Sequence, residues 1–179
     1  FVHRGLEQLV EKRDFQTYVY VAERICGICS FMHGMSYCEA VEKIMDIELP
    51  ARAKYLRTIW CEMSRIHSHL LWLGLLAFLN DHAVNTRLRG VGILTKEQAY
   101  DLGAVGPFMR ASGIEFDMRM RGYDAYKDLD FRPVTSTECD SYARCKVRIG
   151  EIFQAIDLIR QAVDKIPEGD IAVPVKGFP

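Results

Sequence analysis

The sequence predicts a mainly α fold, a helical-bundle core joined by long loops with a minor β contribution, and three observations carry that prediction. From Pro50 to about Phe78 the apolar residues Leu56, Ile59, Met63, Ile66, Leu70 and Leu73 recur at alternating spacings of 3 and 4, the period of one helix face. From about Cys139 to Ile166 a second apolar series, Val147, Ile149, Ile152, Phe153, Ile156, Ile159 and Val163, reads as a long helix closed by Pro167, which cannot donate a helical N–H. The only β-rich patch is Tyr18 to Val21.

Taken in order, Leu6, Leu9 and Val10 suggest a short first helix ahead of that patch. A helix from Ser36 to Ile47 follows, with Tyr37, Val41, Ile44 and Met45 on one face and Glu39 three residues after a Ser36 cap. Pro50 suits the first turn of the long helix, whose apolar face Trp60 and Trp72 widen, so burial on more than one side is expected. Thr95 and Gln98 form a second capping box for a short helix ending at Gly103, and Gly106-Pro107 punctuates it. Residues 105–137 are rich in Gly, Arg, Asp and Tyr with little periodicity. They read as a long loop of a kind usually functional or covered by a partner.

With 179 residues, 49% hydrophobic and 26% charged, the chain has the size and mixture of one globular domain. Its net charge of -1 offers no bulk positive field for nucleic acid, and the basic residues Arg110, Arg119 and Arg121 alternate with Glu115, Asp117 and Asp124, as on a solvated or subunit-facing loop. The longest apolar run, Leu70 to Leu79, is half of the roughly 20 residues that a membrane-spanning helix needs. Six unevenly spaced cysteines are too few for a disulfide scaffold and favour a reducing compartment. Cys38, Cys61, Cys139 and Cys145 read as structural thiols.

Cys26 and Cys29 are different. Two intervening residues, one of them Gly27, let a loop turn both sulfurs toward one ion, and thiolates select zinc, iron, nickel or copper(I) over magnesium and calcium. Arg24 and the start of the next helix favour the thiolate form. Spacing alone leaves three further readings open: a structural zinc site, for which no second Cys or His pair follows at matching distance; a redox pair, for which a βαβ setting is missing; and two inert buried thiols. His67 and His69, with Glu62 and Arg65, lie within about a turn on the long helix and read as a buried polar network in which Arg65 pairs with His69. Asp140 and Arg144 have the spacing of a helix ion pair.

The stretch Glu23-Arg24-Ile25-Cys26-Gly27-Ile28-Cys29, with His33 four residues on, resembles the first metal-binding signature of the large subunit of nickel-iron hydrogenases. Other segments resemble the membrane-bound, energy-converting (Ech-like) branch related to respiratory complex I: His3 to Glu7, Ser64 to Gly74, Arg87 to Gly92 with Leu94, and Asp140, Arg144, Arg148 and Glu151. The resemblance implies the mainly α fold of that subunit and of its complex I counterpart. It implies that Cys26 is a terminal thiolate on nickel, that Cys29 bridges nickel and iron, and that His33 donates a hydrogen bond toward the bridging sulfur. Glu23 and Arg24 flank the site, either as proton and charge partners or as a plain salt bridge.

The implied cofactor is a nickel-iron centre whose iron carries CO and cyanide, and the implied reaction is reversible formation of dihydrogen with ferredoxin electrons, coupled to ion movement across a membrane. Implied partners are a small subunit bearing iron-sulfur clusters, membrane-arm subunits and ferredoxin, at the cytoplasmic face of the cell membrane; residues 105–137 are a candidate contact. No nucleic acid is expected. The family's second Cys pair, in an Asp-Pro-Cys-x-x-Cys motif, is not in these 179 residues, and only about a dozen residues join two segments that the family separates by a long insertion. A single domain belonging to a longer chain is therefore expected, with an interior stretch missing near 77–86 and both ends missing. The alternatives are a non-catalytic complex I-like quinone-site or structural subunit, whose relatives have lost this Cys pair, and a zinc-stabilised interaction domain.

Overall fold

A computed structural model describes residues 5–74 and 81–174. Eight helices follow in order: α1 (Leu6–Glu11), α2 (Val19–Ala22), α3 (Ser30–Ile44), α4 (Ala51–Gly74), α5 (His82–Leu88), α6 (Lys96–Asp101), α7 (Gly106–Arg110) and α8 (Ser141–Lys165). The fold is mainly α, and among the described residues no strand forms. The β-rich patch is a correction: Tyr18 is already helical in backbone angle and Val19 to Ala22 make a short helix. Among the described residues this β-branched pair has no neighbouring strand to pair with, and Ala22 instead buries against its surroundings.

Packing of α4 against α8 is the spine of the molecule. The face that α4 buries differs from its apolar stripe. Thr58, Cys61, Glu62 and His69 are buried, while Trp60, Met63, Leu70, Leu71 and Trp72 are exposed. Opposite them α8 presents small or polar side chains, Ala143, Cys145, Glu151, Ala155 and Ala162, with Val147 and Leu158. Small residues let two helices approach closely, so the inner face of α4 is chosen by fit and charge pairing rather than by hydrophobicity. The stretch Leu75 to Asn80, on which the end of the expected helix falls, lies outside the described residues.

Local chemistry explains the remaining boundaries. α3 begins directly after Cys29, six residues earlier than Ser36, which sits within the helix. Thr95 and Gln98 close their capping box on α6. Asp140 caps α8, accepting from Ala143 N–H at 2.8 Å and from Gly90 N–H at 2.8 Å. The expected Asp140–Arg144 ion pair is thus replaced by backbone bonds, because Arg144 turns to the Gly92 and Cys139 carbonyls. A side chain at Gly92 would enter 3.2 Å from Arg144 at a positive φ of 64°, so glycine is required there.

Residues 105–137 also depart from expectation. They carry α7 and two 3-10 turns, and bury Met109, Arg110, Ala111, Ile114, Asp117, Arg119, Ala125, Tyr126 and Leu129. Arg110, Arg119 and Asp117 are not on a solvated loop. Tyr126, Leu129 and Ala125 join Tyr55, Leu158 and Ala162 in the main apolar cluster, while Met109 and Ile114 join Ala99 in a second. No described helix is long and apolar enough to cross a membrane.

Candidate metal centre

The two cysteines lie on the short link between α2 and α3. Ser30, the first residue of α3, donates its hydroxyl to the Cys26 carbonyl at 2.9 Å, which folds the link back on itself. The Ile28 N–H lies 3.4 Å from Cys26 Sγ. One helical turn into α3, His33 Nε2 reaches Cys29 Sγ at 3.3 Å. The ligand atoms of Cys26, Cys29 and His33 all lie within 4.8 Å of one another.

Electrostatics separate the two thiols. Hydrogen bonds from the Cys29 backbone and side chain and from Ile28 N–H lower the Cys26 pKa, so it ionises first. Burial, with the Cys26 sulfur as neighbour, raises that of Cys29. Both side chains keep part of their surface open and neither is in a disulfide. Two sulfurs and one imidazole on a tight link are a soft donor set that fits nickel or iron, and three donors are one short of the four that hold a structural zinc.

Of the other expected residues, Glu23 ends α2 and packs over Gly34, where a side chain would come within 2.9 Å of its Cγ. That close approach brings α2 down on α3 beside the cysteines. Arg24 is exposed next to the link. His67 is exposed and lines a groove with Gly27, Ile28 and Trp60.

A second constellation went unread at the sequence level. His69 does not pair with Arg65. Its Nε2 lies 2.6 Å from Glu151 of α8. Arg110 Nε donates to the other Glu151 oxygen at 2.8 Å and its Nη1 lies 3.0 Å from Asp117. Asp117 is held by Arg119 at 2.9 Å, Arg119 reaches Glu62 at 3.2 Å, and Glu62 pairs with Arg65 at 3.2 Å and accepts from Tyr126 at 2.5 Å. Charges alternate along the whole series. Burial of Asp117 would raise its pKa, but the Arg119 guanidinium, aided by Arg110, holds it at about 2. Burial of Glu151 is likewise overridden by His69 and Arg110, leaving its pKa lowered.

Both ends of this series, Arg65 and His69, open on one cavity of about 190 Å³ that Cys29 also lines. Glu62, Arg65 and His69 share one face of α4 at helical spacing, which was the only signal available in sequence. Their partners sit 41 to 82 residues away, on α7 and α8 and in the turn between them.

Residues 52–178 match the family model of the respiratory-chain NADH dehydrogenase 49 Kd subunit. The chain belongs to that family. Residues 4–84 also match the model of nickel-dependent hydrogenases, the stretch that includes both cysteines and His33. Among similar proteins, the alpha subunit of the membrane-bound hydrogenase of Pyrococcus furiosus is 32% identical, with 98% of this chain and 58% of that protein covered. A subunit of the F(420)H(2) dehydrogenase of Methanosarcina mazei is 29% identical, covering 96% of this chain and 65% of that protein. A subunit of an NADH-quinone oxidoreductase of Thermodesulfovibrio yellowstonii is 29% identical, covering 96% and 60%. The chain therefore spans 58% to 65% of the length of these relatives. The family is one of oxidoreductase subunits that includes hydrogenase and quinone-reductase branches.

Proposed function

We propose that the chain is part of the large, catalytic subunit of a membrane-bound, energy-converting nickel-iron hydrogenase. The observation that carries this reading is the Cys26, Cys29 and His33 cluster, with donor atoms within 4.8 Å, in a chain of this family. Cys26 and Cys29 would hold nickel and iron, the latter carrying CO and cyanide, and a bound centre of that kind supplies heterolytic cleavage and formation of dihydrogen. Cys26, the thiol that ionises first, serves as the terminal ligand, and Cys29 serves as the bridging one. His33 donates from Nε2 to the Cys29 sulfur, drawing electron density from it and fixing its direction. Glu23 and Arg24 flank the site as proton and charge partners.

The other two thiolates come from a second Cys pair in the longer protein. Supporting this, the match to the Pyrococcus furiosus subunit extends over 254 residues whereas this chain has 179, and the apolar stripe of α4 from Trp60 to Trp72 is exposed where further chain would cover it. We place the subunit peripherally, at the cytoplasmic face of a membrane complex with membrane-arm subunits coupling the reaction to ion movement. Electrons from ferredoxin pass through iron-sulfur clusters of a small subunit, since clusters demand a four-thiolate set that this chain does not spare.

A second reading is a non-catalytic subunit of the complex I type, favoured by the larger share of the chain, residues 52–178, that matches that model. Elemental analysis and infrared spectroscopy of the purified complex separate the readings. Nickel equimolar with the subunit, together with bands of iron-bound CO and cyanide, supports the hydrogenase; zinc alone or no metal overturns it.

A further inference from the structure

We propose that His69, held by Glu151, is the group that exchanges protons with the cavity beside Cys29; the proposal deepens the hydrogenase reading and rests on it. The cavity is bordered by Cys29, Met32, Ser64, Arg65, Ser68 and His69. Met32 and the serines do not titrate in the working range, Arg65 stays cationic, and Cys61, behind them, is pushed up to about 12 by burial. Apart from the ligand thiol itself, His69 is the lining group whose ordinary titration range brackets neutral pH.

Geometry prepares it for the task. The Glu151 carboxylate at 2.6 Å takes the Nε2 proton's hydrogen bond, which fixes the ring and leaves Nδ1 as the basic nitrogen. Among the described residues none hydrogen-bonds Nδ1. Glu151 is itself pinned by Arg110, so the imidazole sits on a rigid carboxylate rather than a mobile one. The groups facing His69 are Glu151 of α8, Arg110 of α7 behind it, Arg65 on its own helix and Cys29 across the cavity. The ladder's cations are Arg65, Arg110 and Arg119 and its anions Glu62, Asp117 and Glu151, which cancel. His69 is thus neutral at rest and can take one positive charge beside a carboxylate.

The step is a single proton transfer. A proton leaves a donor in the cavity, either the Cys29 thiol or a water, and bonds to Nδ1; the donor keeps the electron pair and His69 becomes an imidazolium. The reverse transfer restores both. Glu151 is a positioning residue, acting through His69.

The test uses the complete complex and its metal-free, full-length large subunit side by side. In the metal-free chain, nuclear magnetic resonance with isotopic labelling of histidine nitrogens reads His69, identified by the loss of its signals in His69→Gln. The expected result is a neutral Nε2–H ring at about pH 8 that gains a proton on acidification, and loss of that fixed tautomer in Glu151→Gln. A ring that stays cationic up to about pH 10, or neutral down to about pH 5, overturns the proposal. In the loaded complex His69→Gln keeps the parent's nickel content while hydrogen turnover falls about 10²-fold, and added imidazole recovers part of it in His69→Ala. Turnover within about twofold of the parent, or loss of nickel from the variant, overturns it, since a proton-transfer group of this kind contributes about 10² or more to rate without holding metal. A parent complex devoid of nickel overturns the hydrogenase reading instead, and the imidazole measurement then judges His69 by itself.

Discussion

The cysteine link and the charge ladder meet at one cavity and are built in opposite ways. The link joins short elements that bury little: α1 buries no residue and α2 only Ala22, and Ile25 and Ile28 on either side of Cys26 are exposed. The ladder lies between the two longest helices, with Glu62, Arg119 and Glu151 at 0% to 1% exposure. Charges removed from water must be paired to persist, so the ladder is rigid by necessity, whereas the link holds its thiols ready for ligands supplied from outside it. Local stability should therefore be high at the ladder and low at the link.

The largest expected effect tests the ladder. Arg119→Met leaves Glu62 and Asp117 buried with one partner fewer, and should destabilise the fold by about 3–5 kcal/mol in urea unfolding. A loss under about 1 kcal/mol would show that water reaches these groups and that the contrast with the link is overstated. Acid should act on the same place. Because the folded pKa of Asp117 lies at about 2, below its ordinary 3.8, its contribution is complete above about pH 4 and is lost as pH falls toward 2. That loss is about 2 kcal/mol for this buried group, and it should vanish from the pH profile of Asp117→Asn.

A smaller effect has the opposite sign. Burial, with Glu39 nearby, raises Asp124 to about 6, so its contribution is favourable below about pH 4 and is lost as pH rises through 6. Asp124→Asn should stabilise the protein by about 1 kcal/mol at pH 7, discounted for its partial exposure, and by nothing at pH 4. Asparagine also tolerates the positive φ of 48° at that position. Equal stability of parent and variant at both pH values would remove the claim that Asp124 is under strain from its surroundings.

The smallest effect on stability belongs to the link. Cys26→Ser should leave thermal unfolding of the metal-free chain within about 0.5 kcal/mol while abolishing nickel retention in the complex. A large fall in stability would make Cys26 a core thiol and erase the distinction between the regions.

Much of this was legible in the residues. The two long helices, the Thr95 capping box and the Cys26, Cys29, His33 cluster all depend on contacts within about four positions, which spacing encodes directly. The reading failed where partners are distant. Tyr18 to Val21 has strand-forming residues, but among the described residues no neighbouring strand takes up its backbone groups. Arg110, Asp117 and Arg119 look like a solvated loop because alternating charges are solvated unless something covers them, and the cover comes from α4 and α8.

The sequence by itself determined that this is a mainly helical chain with a soft-donor metal motif, because helical period and ligand spacing are local properties. Which face of α4 turns inward was decided only by tertiary structure. Hydrophobicity points to Leu56, Met63 and Leu70, yet the inner face carries Glu62 and His69, since the alanines of α8 allow close approach and its Glu151, with Arg119 from the preceding turn, supplies the opposite charges. A buried ion is tolerated only when its partner arrives with it, and for Glu62 and His69 those partners lie 57 and 82 residues further along the chain.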